Sequence, residues 1–496
     1  MASAKKFSNN LRAVTELEQE DDNYTDSLGV ENIFRCCELL TTFLRNKKWS
    51  EIGDTLTTIS KALLKPENRK SVPLQALESL GIVLHVSAAE FKVDSPSVAA
   101  AVSETFRALR NSCVGEPKIQ KDVTEKTVAV DETCNILKAL SLLPRNEHNV
   151  FCLRVGTQFL GNIVVNNKDT QPIVWRKCSE VLIDLLKYED KKVANYSSMV
   201  IYNILLGHPD ISAAVENCKE ILEILIDHAM ADSEFALFTV ELLLSRMGYL
   251  PKVYEKVAVT HRLFLLDAVH FMITADGDAR IPVTSITFLA SQFKVHSDCI
   301  LKTCEKYVEG LEPAEVSKLL QLLASASANG NYRSELQKDT SLLITCSMLL
   351  CSMHNLGKMG QNNFSAVQKL ADLSSFTQSS NIHEHPAFGF KSCLVQMLGN
   401  LCWRHPENQN QVRKLDCISV LLDCCNIDAR NPLIIQWVVL AIRNLCENNL
   451  ENQAVIASMT RKGTVDSSVL LEMGLTLHAD DESKIVIMPL DRKTSL

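Results

Sequence analysis

Four times along this chain an asparagine near the end of an apolar helical stretch is followed, nine residues on, by a glutamine. The pairs are Asn111 and Gln120, Asn162 and Gln171, Asn400 and Gln409, and Asn444 and Gln453. The two C-terminal copies nearly repeat each other: Leu398-Gly399-Asn400-Leu401-Cys402 with Asn408-Gln409, then Ile442-Arg443-Asn444-Leu445-Cys446 with Asn452-Gln453. Three residues past each glutamine stands an aliphatic side chain, Val123, Val174, Val412 or Ile456. A helical unit of this size cannot bury its apolar side alone and must stack on its copies. The recurrence therefore predicts an all-α solenoid, a binding scaffold, and says little about what it binds.

The unit is clearest between Asn400 and Asn444, a step of 44 residues. A short helix follows Gln409, a second covers Asp416 to Cys425 with Ile418, Leu421 and Leu422 on one side, and a third opens at Asn431-Pro432. An asparagine cap with proline at the first helical position suits that start. One short and two longer helices per repeat is the armadillo or HEAT pattern, which forms a right-handed α-solenoid. The step from Asn162 to Asn203 is 41 residues, although Asn203 has lost its glutamine. The expected organisation is a flexible N-terminus (1–25), armadillo-type repeats (26–230), degenerate helical repeats (231–354), a surface loop or disordered insert (355–387), C-terminal armadillo-type repeats (388–460) and a tail (461–496). In the tail, Gly474 to His478 and Lys484 to Met488 alternate or run β-branched and suggest a small hairpin.

Composition narrows the function. Fifty-one Lys and Arg against 59 Asp and Glu give a formal charge of −8 with no basic block, which argues against nucleic-acid binding. Residues 1–25 are polar and acidic, unlike a secretory signal, and the longest apolar run, Ser341 to Met353, falls short of a bilayer. Seventeen cysteines without a CxxC pair predict reduced thiols in a cytoplasmic protein.

Helical residues advance about 100° each, so positions two before and two after each asparagine lie on the opposite side of the helix. Those positions hold Leu109, Leu160, Leu398 and Ile442, then Cys113, Val164, Cys402 and Cys446. That side is expected to be core, several cysteines serving as small buried hydrophobes. The asparagines are then expected on the other face, with Gln158 and Gln396 one turn earlier, along a concave wall. Either each amide ties its helix to a neighbouring repeat, or Asn111, Gln158, Asn162, Asn203, Gln396, Asn400 and Asn444 also hydrogen-bond a partner's backbone, with Arg110 and Arg443 flanking for acidic groups. The glutamines that open each unit read as local bridges.

Catalytic chemistry finds little support. No phosphate loop, HExxH, nucleophile elbow or kinase signature occurs, so no enzyme activity and no cofactor are expected. His383-Glu384-His385 with Cys393 is a polar loop more readily than a metal site, and Asp276-Gly277-Asp278 a turn more readily than a calcium loop. Thr464, after Arg461-Lys462-Gly463, fits a basic-directed kinase, whereas Ser179 is expected to be helical and half-buried. The terminal Thr494-Ser495-Leu496 is a weak match to a PDZ ligand.

The segments around Asn400 and Asn444, from Phe390-Lys391-Ser392 to Trp437 and Ala441-Ile442-Arg443-Asn444-Leu445, resemble the C-terminal homology region of the ataxin-10 family. Gln158-Phe159-Leu160-Gly161-Asn162-Ile163, Ile173-Val174-Trp175 and Tyr196-Ser197-Ser198-Met199 resemble its N-terminal half. This resemblance implies a non-enzymatic armadillo-repeat adaptor, cytoplasmic and perinuclear, associated with neuronal survival, neurite outgrowth through Ras–MAP kinase signalling, cytokinesis, the centrosome or basal body, and the midbody. The partners it implies are an O-GlcNAc transferase and a heterotrimeric G-protein β subunit, and a homo-oligomer is left open. One alternative is an activating subunit of that transferase. Another is a transport adaptor, but the importin-α family sets a tryptophan four residues before each asparagine, where this chain has Arg107, Gln158, Gln396 and Leu440.

Overall fold

The computed structural model describes residues 30–90, 96–208, 219–275, 280–304, 312–367, 385–459, 475–479 and 485–489. Its contacts divide the chain into two compact units, Met1–Phe264 with Ala275–Asp278, and Leu265–Thr274 with Ala279–Leu496.

Within the first unit two rows of helices build the layers. Val30–Arg45, Leu74–Ala88, Ala129–Leu142, Gln171–Leu186 and Lys219–Met230 pack in series as the outer row. Trp49–Ala62, Pro96–Ser112, Glu147–Val164, Lys191–Gly207 and Glu234–Leu244 pack in series as the inner row. Each layer pairs one helix from each row, and Pro117–Lys126 supplies a short leading helix to the third. In the second unit Glu312–Ala328, Phe390–Cys402 and Ile434–Cys446 form the inner row, and Val283–His296, Thr340–Lys358 and Cys417–Asp423 the outer. The short helices Gly330–Gln337, Pro406–Lys414 and Leu450–Ser458 lead the layers there. This is the armadillo-type repeat that the sequence periodicity predicts.

Local chemistry starts and stops these helices. Asn146 accepts from the Asn149 backbone N–H (2.8 Å) and Asp190 from that of Val193 (3.1 Å), capping two inner helices. Four residues past each signature asparagine the backbone turns left-handed, at Gly115 (φ 69°), Asn166 (55°), Arg404 (51°) and Asn448 (55°). That reversal ends the inner helix and starts the next unit. Gly399 permits close helix contact: an added Cβ would lie 3.0 Å from the Ala441 Cα.

The core side is as expected. Leu109, Leu160, Leu398, Cys113, Val164 and Cys402 have no exposed surface, while Ile442 and Cys446, in the last complete layer, are half-buried. Leu475–Ala479 (β1) and Ile485–Pro489 (β2) form an antiparallel hairpin, Leu475 opposite Pro489 and Ala479 opposite Ile485.

Two findings depart from the sequence reading. Cys134 and Cys178, on successive outer helices, are joined as a disulfide with Cα atoms 5.6 Å apart, rather than both remaining reduced. Stacking repeats of 44 residues brings equivalent positions into contact, which chain spacing alone does not reveal. Residues 355–367 are not a surface loop. The outer helix continues to Lys358, Phe364 and Val367 are buried, and Asn363 and Lys391 bond the carbonyls of Thr303 (2.7 Å) and Phe364 (2.6 Å). Residues 368–384 lie outside the described residues, as do Thr464, Asp276–Asp278 and Thr494–Leu496.

Candidate partner-binding groove

The signature amides work between layers. Asn162 Nδ2 donates to the Arg110 carbonyl (3.2 Å), and Asn444 Nδ2 to that of Gly399 (2.9 Å). In both cases the acceptor directly precedes the previous layer's asparagine. Asn111 reaches the Ser60 carbonyl (3.0 Å), and Asn400 reaches Ser327 Oγ (3.0 Å) and the Ala324 carbonyl (3.4 Å). The glutamines point the other way along the stack. Gln120, Gln171 and Gln409 donate to the carbonyls of Asn162 (2.7 Å), Asn203 (3.1 Å) and Asn444 (2.8 Å), the asparagine positions of the next layer. The Asn111, Asn162 and Asn400 signatures thus bond backward through the asparagine and forward through the glutamine, whereas the fourth bonds backward through Asn444 while Gln453 donates to the Cys446 carbonyl of its own layer (2.8 Å). These are backbone carbonyls that a helix end leaves without an intrahelical donor or shares at a tight interface, and each net bond is worth about 1 kcal/mol.

Burial decides what the asparagines can do. Asn111, Asn162, Asn400 and Asn444 are only 5, 2, 8 and 4% exposed. They sit inside the interface between inner helices and do not line an open wall. The side opposite the core is itself covered, by the preceding layer, which helical periodicity within one repeat does not show. Asn203 is half-buried, and its carbonyl takes the Gln171 amide. Gln158 is 8% exposed and accepts from Arg110 Nη1 (2.6 Å). Gln396 is half-buried and Arg443 exposed.

Three amides escaped the sequence reading. Gln337 bonds the carbonyls of Asn400, Leu401 and Trp403 (3.4, 3.3 and 2.9 Å), doing for the Asn400 layer what Gln409 does for the next. Asn167 and Asn449 donate to the Oε1 atoms of Gln120 (2.8 Å) and Gln409 (3.1 Å), holding those glutamines in place. Both stand five residues after a signature asparagine, a spacing present in the sequence. Gln337 carried no such signal, because no asparagine precedes it by nine.

What remains open on the inner row of the first unit is a groove. A cavity of about 420 Å³ lies between Trp49, Gly53, Thr57, Ser103, Glu104 and Phe151. A wider one of about 730 Å³ runs past Arg145, His148, Phe151 and Arg154. A third, of about 60 Å³, is bordered by Arg107, Arg110, Phe151, Arg154, Gln158 and Lys192, with Tyr196 beside them. Phe151 borders all three, so they form one surface across successive inner helices. The Arg107 guanidinium lies 5.2 Å from the centre of the Phe151 ring, a cation–π contact. Arg154 forms a fork with Asp190, at 3.0 and 2.6 Å, which holds that carboxyl below its usual range. Among the described residues no three His, Cys, Asp or Glu side chains converge as a metal site would need, and no helix is long and apolar enough to cross a membrane.

Helical layers stacked in two rows define an α-helical repeat protein. Residues 390–488 match the spinocerebellar ataxia type 10 protein domain. Ataxin-10 from Bos taurus is 32% identical over 403 residues, covering 78% of this chain and 81% of that protein. Ataxin-10 from Xenopus tropicalis is 31% identical over 410 residues, covering 79% and 82%. The ataxin-10 homolog of Dictyostelium discoideum is 39% identical over 105 residues, 21% of this chain and 17% of its own. The chain belongs to the ataxin-10 family.

Proposed function

We propose that this chain is a non-enzymatic adaptor whose inner-row groove in the first unit holds an extended segment of a partner protein. The observation that carries this is the division of labour among polar side chains. The signature amides are consumed between layers, while the side chains around Phe151 stay at the surface of connected cavities. Family membership supports an adaptor role in cytoplasmic and perinuclear signalling and in cell division: neuronal survival, neurite outgrowth through Ras–MAP kinase signalling, cytokinesis, and work at the centrosome or basal body and the midbody. The partners this reading favours are an O-GlcNAc transferase and a heterotrimeric G-protein β subunit. In this view the asparagines serve binding indirectly, by keeping the inner helices in register.

A photoreactive benzoylphenylalanine placed at Thr57, in the groove, or at Leu142, exposed on the outer row, tests the location. With either purified partner, cross-links should form from Thr57 and not from Leu142. Cross-linking from Leu142 alone would sink the groove reading.

A further inference from the structure

We propose that Cys351 and Cys417, on successive outer helices of the second unit, form an oxidisable dithiol: a hydroperoxide attacks at Cys351, and Cys417 resolves the product into a disulfide that ties two layers together. Cys351 lies in Thr340–Lys358, and Cys417 opens Cys417–Asp423, which packs against it. Cys417 has no exposed surface, and its Sγ sits 4.0 Å from the Ser347 carbonyl, one helical turn before Cys351. Residues four apart share a helix face, so this contact sets the buried sulfur beside the Cys351 side chain. The two free thiols share a hydrogen bond. In the first unit Cys134 and Cys178 also stand on successive outer helices, and there they are joined. The second unit thus holds as a dithiol what the first holds as a disulfide.

Burial divides the roles. Cys351 is half-buried and open to a small oxidant, whereas Cys417 is sealed. The Cys417 S–H donates to the Cys351 sulfur and favours its thiolate. That bond outweighs burial and the nearby Asp416 carboxylate, and brings Cys351 down to about 7 from an ordinary 9.0. The same bond, with burial, pushes Cys417 up, so it keeps its proton. The thiolate is the nucleophile of thiol chemistry, and an accessible low-pKa cysteine beside a second thiol is the arrangement in which peroxide oxidation ends as a disulfide.

The chemistry balances in two steps. The Cys351 thiolate attacks one peroxide oxygen; an S–O bond forms, the O–O bond breaks, and the hydroxide released takes up a proton as water. Cys417 sulfur then attacks the sulfenic sulfur of Cys351. The S–S bond forms, the S–O bond breaks, and the departing hydroxide leaves with the Cys417 proton as a second water. The two sulfurs lose two electrons, and the peroxide gains them.

The test treats the full chain with stoichiometric hydrogen peroxide, blocks the remaining thiols, and maps non-reduced peptides by mass spectrometry. A peptide linking Cys351 to Cys417 should appear. In Cys417→Ala the reaction should stop at the first step, and dimedone should capture a sulfenic acid on Cys351; Cys351→Ser should give neither product. The wild-type map needs no substitution and decides the pairing even where loss of the buried Cys417 thiol unfolds the second unit. A second measurement compares Cys351 with Cys425, which is exposed and which burial moves above 9.0. Near pH 7 about half of Cys351 is thiolate against about 1% or less of Cys425, and its weaker basicity returns roughly a factor of ten, so iodoacetamide should label Cys351 about fivefold faster. A sulfenic acid that persists on Cys351 in the wild-type chain, or a disulfide from Cys351 to any other thiol, would overturn the proposal. So would a Cys351 that alkylates no faster than Cys425.

Discussion

Gln409 and Gln453 occupy the same place in consecutive signatures, yet they should differ sharply when truncated to alanine. Gln409 is 1% exposed, and its Nε2 lies 2.8 Å from the Asn444 carbonyl and 3.2 Å from that of Cys402. Its Oε1 accepts from Asn449 (3.1 Å), which keeps a second acceptor in Asn410 Oδ1 (2.9 Å). An amide has two N–H groups, so truncation strands one or two carbonyls at a buried interface, each costing about 1–3 kcal/mol. A total of about 2–4 kcal/mol follows for Gln409→Ala. Gln453 is exposed and, among the described residues, bonds only the Cys446 carbonyl of its own layer (2.8 Å). Water can replace that bond, so Gln453→Ala should cost less than about 1 kcal/mol. Hydrogen exchange read by mass spectrometry tests the pair. Amides of Ile434–Cys446 should exchange about thirtyfold faster or more in Gln409→Ala, since about 1.4 kcal/mol is a factor of ten, and almost unchanged in Gln453→Ala. Equal acceleration in both, or a larger effect at Gln453, would refute the forward bond as the joint between layers.

Gly399→Ala should destabilise the second unit by about 1–3 kcal/mol, because its Cβ would press on the Ala441 backbone at 3.0 Å. Gly161→Ala would press chiefly on the movable end of the Met199 side chain, with Val200 in ordinary contact, so urea midpoints should fall further for Gly399; the reverse order would contradict the packing. Reducing Cys134–Cys178 removes a cross-link spanning 44 residues, worth up to roughly 4 kcal/mol in chain entropy; native protein that alkylates both thiols and melts unchanged would exclude the bond. Burial pushes the thiols of Cys113, Cys152 and Cys346 up to about 12 from an ordinary 9.0. Above pH 9.0 the unfolded chain therefore releases protons that the folded chain keeps, so stability is full below that value and declines as the pH rises toward 12. A urea midpoint that stays flat between about pH 8 and about pH 10 would argue that these thiols ionise in place.

Periodicity alone determined the helical layers, the core side and the joints. The recurrence of asparagine and glutamine nine apart marks where one unit ends and the next begins, and the flanking Leu109, Leu160 and Leu398 are buried as their phase on the helix requires. Such patterns are local: they depend on residues within one turn or one repeat. Tertiary structure decided the rest. The covering of Asn162 and Asn444 by the preceding layer, the pairing of Cys134 with Cys178, and the packing of Phe364 and Val367 all come from residues tens of positions away. The convergence of Arg107, Arg154 and Lys192 on one cavity is of the same kind. Each of these cations stands on a different helix with an ordinary charged neighbourhood in sequence, and only stacking of the layers gathers them around Phe151. A repeat advertises its own fold because every copy faces the same packing problem; its binding surface is assembled across copies, where no single period records it.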